Sequence, residues 1–153
     1  MRSLGESKKS EEELRRLSVE LQLLEQTAET LQSRVSMVNA SLTDLTYASM
    51  TLEGLEKEDE NAELLVPIGG SSYIKARLAQ RDKVIVGMGA GVSVEKTLEE
   101  AKAILRTRME ELEKARVSAQ QQLEQVVDRI NADRQRMEQL VASLREGKAS
   151  TDV

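Results

Sequence analysis

The stretch ELLVPIGGSSYIKARL, residues 63–78, and the stretch KVIVGMGAGVSVEK, residues 83–96, decide the fold. Each contains two short runs of β-forming residues separated by glycines. The runs at 64–68 and 73–78 flank the first glycine pair, and those at 83–88 and 92–96 flank the second. Glycine permits the positive φ angles that a tight reversal needs. The pattern therefore predicts two β-hairpins within residues 64–96.

Long heptad patterns lie on both sides of this segment. From Leu14 to Leu52, and again from Leu98 to Leu144, apolar residues recur in alternating steps of three and four. This spacing is typical of coiled-coil helices. Ser10 is the expected N-cap of the first helix, and Thr97 begins a capping box at the start of the second. The two helices can bury their seams against each other only if the chain doubles back, so we predict an antiparallel coiled coil.

The predicted fold is mainly α with a small β region, and it divides the chain into six segments. They are a disordered tail at 1–10, a helix at 11–55, an acidic connector at 56–63, the hairpins at 64–96, a second helix at 97–146 and a disordered tail at 147–153. Isolated two-stranded hairpins are marginal in water, and residues 84–86 are apolar on both faces. We therefore expect the hairpins to join an inter-subunit β-barrel. The residues expected to mediate this oligomerisation are Leu65, Val66, Ile68, Tyr73, Ile74, Val84, Ile85, Val86, Val92 and Val94.

The composition argues against an enzyme. The chain has no His and no Cys, which removes thiolate nucleophiles, the usual zinc ligands and the commonest proton shuttle at neutral pH. Aromatic residues make up only 1%, whereas 32% of residues are charged, a mixture that suits long exposed helices better than a thick core. We predict no catalytic residues, no metal and no cofactor.

Charge and hydropathy also limit the kinds of partner that the chain can bind. A formal net charge of −5 disfavours general binding to nucleic acid, which depends on clustered Lys and Arg. No apolar run approaches the roughly 20 residues that span a bilayer, and residues 1–13 have no signal-peptide core. We therefore expect no membrane partner and a cytoplasmic location.

Two local motifs have a functional and a structural interpretation. GMGAG at residues 87–91 could be taken for a phosphate-binding loop, but it lacks the GK[ST] ending, and the residues after it look extended. A hairpin turn is the better interpretation. The acidic run at 56–63 could attract a cation, yet it lacks the spacing of a calcium loop and is expected to be a solvated linker.

The order helix, two hairpins, helix, together with ELLVPIGGSSYIKARL and KVIVGMGAGVSVEKTLEEAKAIL, resembles the α-type subunits of archaeal-like prefoldins. The resemblance covers residues 63–105 in detail, whereas the flanking helices match in pattern and placement only. It implies a hetero-hexamer of two α-type and four β-type subunits, the latter with one hairpin each, joined through β-barrels. It also implies an ATP-independent chaperone that holds unfolded proteins at the ends of its arms and delivers them to a group II chaperonin.

The seam runs toward both chain ends, where its last apolar residues have no further turn of the predicted helices to cover them. These residues are the candidate client contacts, and ordinary coiled-coil packing is the alternative that the sequence leaves open. Two other functions also stay open, a homomeric coiled-coil scaffold or tether without client binding, and a nucleotide-dependent enzyme. The candidate client contacts are Leu14, Leu17, Met137, Leu140, Val141 and Leu144.

Overall fold

A computed structural model describes residues 3–149 of the chain. Two long helices flank two β-hairpins, which confirms the predicted fold class. In chain order the elements are α1 (Leu4–Glu56), β1 (Glu63–Gly69), β2 (Ser72–Arg77), β3 (Lys83–Gly89), β4 (Val92–Thr97) and α2 (Leu98–Ala149). The barrel between subunits concerns other chains and stays a prediction.

Helix α1 begins earlier than the sequence pattern indicated. Ser10, the expected N-cap, lies inside the helix, and Ser3 precedes its first turn instead. The backbone N–H of Glu6 donates to Ser3 Oγ at 3.3 Å, which satisfies one of the free donors at the helix start. Residues 4–10, predicted to be a disordered tail, are therefore helical, while Met1 and Arg2 lie outside the described residues.

Helix α2 begins where the capping box predicted. The N–H of Glu100 donates to Thr97 Oγ1 at 3.2 Å, and the N–H of Thr97 donates to Glu100 Oε2 at 3.4 Å. The helix continues to Ala149, three residues past the predicted end at 146. The last four residues of the predicted C-terminal tail, 150–153, lie outside the described part of the chain.

Both hairpins are antiparallel and separate, each forming a two-stranded sheet of its own. The two-residue turns consist of Gly70 with Ser71 and of Ala90 with Gly91, and all four residues have positive φ. Positive φ at both central residues is characteristic of the turns whose twist matches that of the flanking strands.

The chain forms two compact units, and each buries its own apolar residues. In the second unit, residues 38–114, a core cluster combines Leu52 of α1, Val86 of β3 and three residues of α2. An ion pair between Glu56 and Lys102 joins the two helices in this unit. The hydrogen bond from Lys102 lowers the pKa of the Glu56 carboxyl, and the same contact raises the pKa of Lys102. The α2 members of the core cluster are Leu98, Ala101 and Leu105.

In the first unit, which comprises the described residues up to 37 and from 115 onward, segments of α1 and α2 pack against each other. Arg129 pairs with Glu20, and Arg136 pairs with Glu13, so partner numbers fall along α1 as they rise along α2. The segments are therefore antiparallel in this unit, as the sequence predicted. The buried seam residues here are Leu17, Leu31, Ala119, Ile130, Leu140 and the polar exception Asp133.

Candidate functional site

The first hairpin, β1 and β2, exposes apolar side chains. Apolar residues lie on both faces of its strands, and none of its residues is among those that the described part of the chain buries. Contiguous apolar surface of this kind marks a site of protein association. The exposed residues are the five predicted for oligomerisation in this hairpin, Leu65, Val66, Ile68, Tyr73 and Ile74.

The second hairpin, β3 and β4, has one covered face. Val86 is only 6% exposed and belongs to the core cluster, and Val84 packs partly against that cluster. Ile85, between them, points the other way and is 76% exposed, while Val92 and Val94 on β4 are also exposed. Eight of the ten residues predicted for oligomerisation are thus open to a partner, whereas Val84 and Val86 pack within the chain's own second unit.

Arg108 attaches the second hairpin to helix α2, a role that the sequence did not predict. Its Nη2 donates to the carbonyl oxygen of Gly87 at 2.6 Å and lies 3.9 Å from the sulfur of Met88. Gly87 is the residue at which the register of β3 shifts. The only signal in the sequence was that a cation interrupts the apolar seam at position 108.

The helix-end residues proposed as client contacts are mostly covered in this structure. Leu17 is 9% and Leu140 5% exposed, Leu14, Met137 and Leu144 are half-buried, and only Val141 is open. The expectation that no helical turn covers them was wrong, since α1 reaches back to Leu4 and α2 reaches Ala149.

Ion pairs hold the two helices together around these residues. Arg136 Nε donates to Glu13 Oε1 at 2.8 Å, and Arg129 Nε donates to Glu20 Oε1 at 2.9 Å. The hydrogen bond from Arg136 lowers the pKa of the Glu13 carboxyl and raises the pKa of Arg136 itself. Glu13 and Glu20 are seven residues apart on α1, and Arg129 and Arg136 are seven residues apart on α2, so the two pairs are one heptad apart on both helices. These pairs favour the antiparallel alignment that covers the apolar residues.

Other exposed apolar residues lie outside the seam. Val19 and Leu23, four residues apart on α1 in the first unit, are more exposed than any of the six predicted client contacts. Met37 on the same helix is exposed as well. Their signal in the sequence was apolar character at positions where the heptad pattern calls for polar side chains.

The glycine segment at 87–91 forms the end of β3 and the turn into β4, and no helix follows the turn. A phosphate-binding loop connects a strand to a helix, whereas this segment connects two strands. Within residues 3–149, no group of three or more acidic side chains is arranged to hold a metal ion.

Two long helices that flank a pair of hairpins with exposed apolar residues define the class of fold to which the chain belongs. The family model described as prefoldin subunit matches residues 24–143, and the chain therefore belongs to the prefoldin family. Membership supports a chaperone role and not an enzymatic one.

Relatives from archaea cover most of the chain. A prefoldin subunit alpha from Methanococcoides burtonii is 36% identical over 138 residues, which is 90% of this chain and 92% of the relative. A prefoldin subunit alpha from Methanopyrus kandleri is 36% identical over 113 residues, 74% of this chain and 72% of the relative.

The fold is also similar to that of a solved structure, filamentous PFD from Methanocaldococcus jannaschii. The TM-score is 0.65 at 23% identity, over 74% of this chain and 93% of the other. Neither α1 nor α2, over the residues described, has an apolar stretch long enough to cross a membrane.

Proposed function

We propose that this chain is a subunit of an ATP-independent, cytoplasmic chaperone that assembles through its hairpins with β-type prefoldin subunits, two α-type with four β-type chains. In this proposal the assembled arms hold unfolded proteins and deliver them to a group II chaperonin. The observation that carries it is the exposed apolar surface of the hairpins in a chain of the prefoldin family.

The assembly step follows from the energetics of the strands. A two-stranded hairpin is marginally stable in water unless its apolar face packs against something. Burying a large apolar side chain stabilises by about 1.5–3 kcal/mol relative to exposure. Eight such side chains are exposed on the two hairpins, so association with hairpins of other chains is strongly favoured.

Ile85→Asp tests the assembly step. Because Ile85 is exposed in the isolated chain, the variant should keep its own fold, whereas burial of an unpaired carboxylate in the complex should cost several kcal/mol. We expect native mass spectrometry after co-expression with a β-type subunit to detect no hexamer. Val117→Asp, an exposed valine on α2 outside the hairpins, is the matched control and should assemble. A hexamer of Ile85→Asp at wild-type mass would contradict the proposal.

Client holding is proposed for the helix ends. In the closed helix pair, Val141 is open and Leu17 and Leu140 are buried, so a client reaches the buried leucines only where the two helices separate. Each arm would then bind weakly, and several arms around one client would raise the effective concentration enough to retain it. Nearby Val19 and Leu23 offer contacts that need no separation.

The burial of Leu17 and Leu140 also favours a second candidate, a homomeric coiled-coil scaffold or tether whose helix ends serve only for packing. The two functions differ in a measurement on the purified chain alone. A scaffold forms a defined assembly without another subunit, whereas the chaperone subunit requires a β-type partner and, once assembled, suppresses aggregation of a denatured protein.

A further inference from the structure

The two hairpins are copies of one structural unit with an offset of 20 residues. Strands β1 and β3 begin at 63 and 83, and strands β2 and β4 begin at 72 and 92, so both differences are 20. The register shift falls at equivalent positions, between Pro67 and Gly69 and between Gly87 and Gly89. We call residues 62–78 the first repeat and residues 82–98 the second repeat.

Equivalent hydrogen bonds close both repeats. The N–H of Leu78 donates to the carbonyl of Ala62 at 3.0 Å, and the N–H of Leu98 donates to the carbonyl of Asp82 at 3.0 Å. The backbone of the two hairpins is therefore built in the same way, and each residue of the first has a counterpart 20 positions later.

The second hairpin shows how one face of the repeat is covered. Val86 belongs to one core cluster with Leu52 of α1 and with Leu98, Ala101 and Leu105 of α2. Arg108 adds a hydrogen bond to the carbonyl of Gly87 at the turn end of the same strand. The cover is thus the base of a helix pair, formed from leucine and alanine side chains with one long cationic donor.

The equivalent face of the first hairpin is bare. Val66, the counterpart of Val86, is 44% exposed, whereas Val86 is 6% exposed. The two residues are of the same type and hold the same position in their repeats. Cross-strand pairing places Leu64, Val66, Ile74 and Ala76 on this face, and none of them is charged. We call these four residues the Val66 face.

Charge distinguishes the Val66 face from the opposite one. The opposite face carries Glu63, Lys75 and Arg77 beside Leu65 and Tyr73, and Lys75 pairs with Glu63 at 3.5 Å. In the second hairpin the equivalent positions are Val84, Val86, Val94 and Lys96, and the cover combines leucine and alanine side chains with Arg108. The uncharged Val66 face suits the apolar part of such a cover.

We propose that the Val66 face binds the base of an antiparallel helix pair that belongs to another prefoldin subunit. The repeat supplies the argument, because the same face of the second hairpin already binds such a base within the chain. Pro67 stands where Gly87 stands and retains its carbonyl, so an arginine of the partner finds the acceptor that Arg108 uses here. This inference rests on the proposed function, since it requires a second subunit, and it specifies which element of that subunit makes the contact.

A crosslink from the face tests the inference on the full chain. The sequence has no cysteine, so Ala76→Cys introduces a unique thiol on the Val66 face at a half-buried alanine, and a benzophenone maleimide can be attached there. The labelled chain is assembled with a β-type subunit, irradiated and digested. We expect mass spectrometry to find crosslinks mainly to helix residues next to the strands of another subunit.

Leu65→Cys, on the opposite face, is the matched control and should crosslink mainly to strands of a partner hairpin. Val66→Cys repeats the test at the centre of the face, and covers the case in which the label at Ala76 blocks assembly. Crosslinks from both positions of the Val66 face to partner strands, or to none, would overturn the inference. A wild-type chain that forms no complex with the β-type subunit would instead contradict the proposed function.

Discussion

Ala90 occupies the left-handed region of the backbone, with φ of 52°, in the turn between β3 and β4. Its counterpart in the first hairpin is Gly70, with φ of 55°. An L-residue with a Cβ is strained in this conformation, and glycine is not. The second hairpin therefore carries this local cost at Ala90, whereas the first hairpin carries it one position later, at Ser71 with φ of 57°, whose counterpart is Gly91.

Ala90→Gly should stabilise the second hairpin. Relief of the strain outweighs the greater entropy of glycine in the unfolded chain, and we expect a gain of about 0.5–1 kcal/mol. Hydrogen exchange of amides in residues 83–97 measures it, with Ala76→Gly as the control, since the φ of Ala76 is not positive. Faster exchange in Ala90→Gly than in wild type would contradict the expectation.

Asp133 is a buried carboxylate in the otherwise apolar seam of the first unit. It is 3% exposed, its Oδ1 lies 3.3 Å from Arg129 Nε, and its Oδ2 has no hydrogen-bond partner among the described residues. A buried polar atom without a partner costs free energy because its hydration is not replaced.

Asp133→Leu should raise the stability of the helix pair in the first unit by about 1–2 kcal/mol, because an apolar side chain suits the position. Arg129 retains its pair with Glu20 in this variant. Thermal unfolding followed by circular dichroism gives the measurement, and Asp128→Leu, an exposed aspartate on α2, serves as the control. A lower midpoint for Asp133→Leu than for wild type would show that the carboxylate stabilises the native pairing.

At the scale of elements, the acid sensitivity of the helix pair depends on Glu13. The pKa of Glu13 is lowered in the folded chain, so the unfolded chain binds the proton more readily, and folding is favoured above its ordinary pKa. That contribution is lost as pH falls through the lowered pKa. Thermal midpoints at a series of pH values from neutral to acid should fall further for wild type than for Glu13→Gln.

Glu12→Gln changes an exposed neighbour and provides the control for the pH series. It should keep the acid dependence of the wild type. If Glu13→Gln and wild type lose the same number of degrees over the series, the contact between Glu13 and Arg136 contributes nothing to stability.

The sequence predicted those features of the elements that depend on near neighbours. The capping box of Thr97 and Glu100 spans three residues, and both of its hydrogen bonds are present. The start of α1 did not follow the local signal at Ser10. The helix begins at Leu4 after Ser3, and Ser10 lines a groove together with Leu140 of α2, a neighbour that the local sequence does not reveal.

Burial of equivalent strand residues could not be predicted for the same reason. Val66 and Val86 occupy equivalent positions in similar strands, yet one is open and the other belongs to the core. The heptad pattern indicated which residues form the seam, but not that Leu17 and Leu140 are closed within it. Those outcomes depend on which distant segment lies over each residue.

At the scale of the whole molecule, client holding should be cumulative and independent of ATP. Val141→Ser combined with Leu144→Ser removes apolar surface at the helix ends, and each residue forfeits up to about 1.5–3 kcal/mol of potential burial with a client. Since other arms remain engaged, we expect partial loss of holding. Suppression of aggregation of a denatured protein is measured with and without ATP.

The control for this pair is Val117→Ser with Leu112→Ser, which matches it in residue type and in exposure but lies away from the helix ends. Native mass should report a hexamer for both pairs. Equal holding by the two pairs would remove Val141 and Leu144 from the client site.

The offset of 20 residues means that removal of one whole period would leave one complete hairpin. In a chain one period shorter, Ala62 would run directly into Lys83 and take the place of Asp82 in the closing hydrogen bond with Leu98. Such a chain keeps both helices, the core cluster around Val86 and one hairpin. One period of sequence therefore separates a chain with two hairpins from a chain with one. Removal of one period would therefore change the number of hairpins that the chain offers to partners while α1 and α2 keep their own sequence.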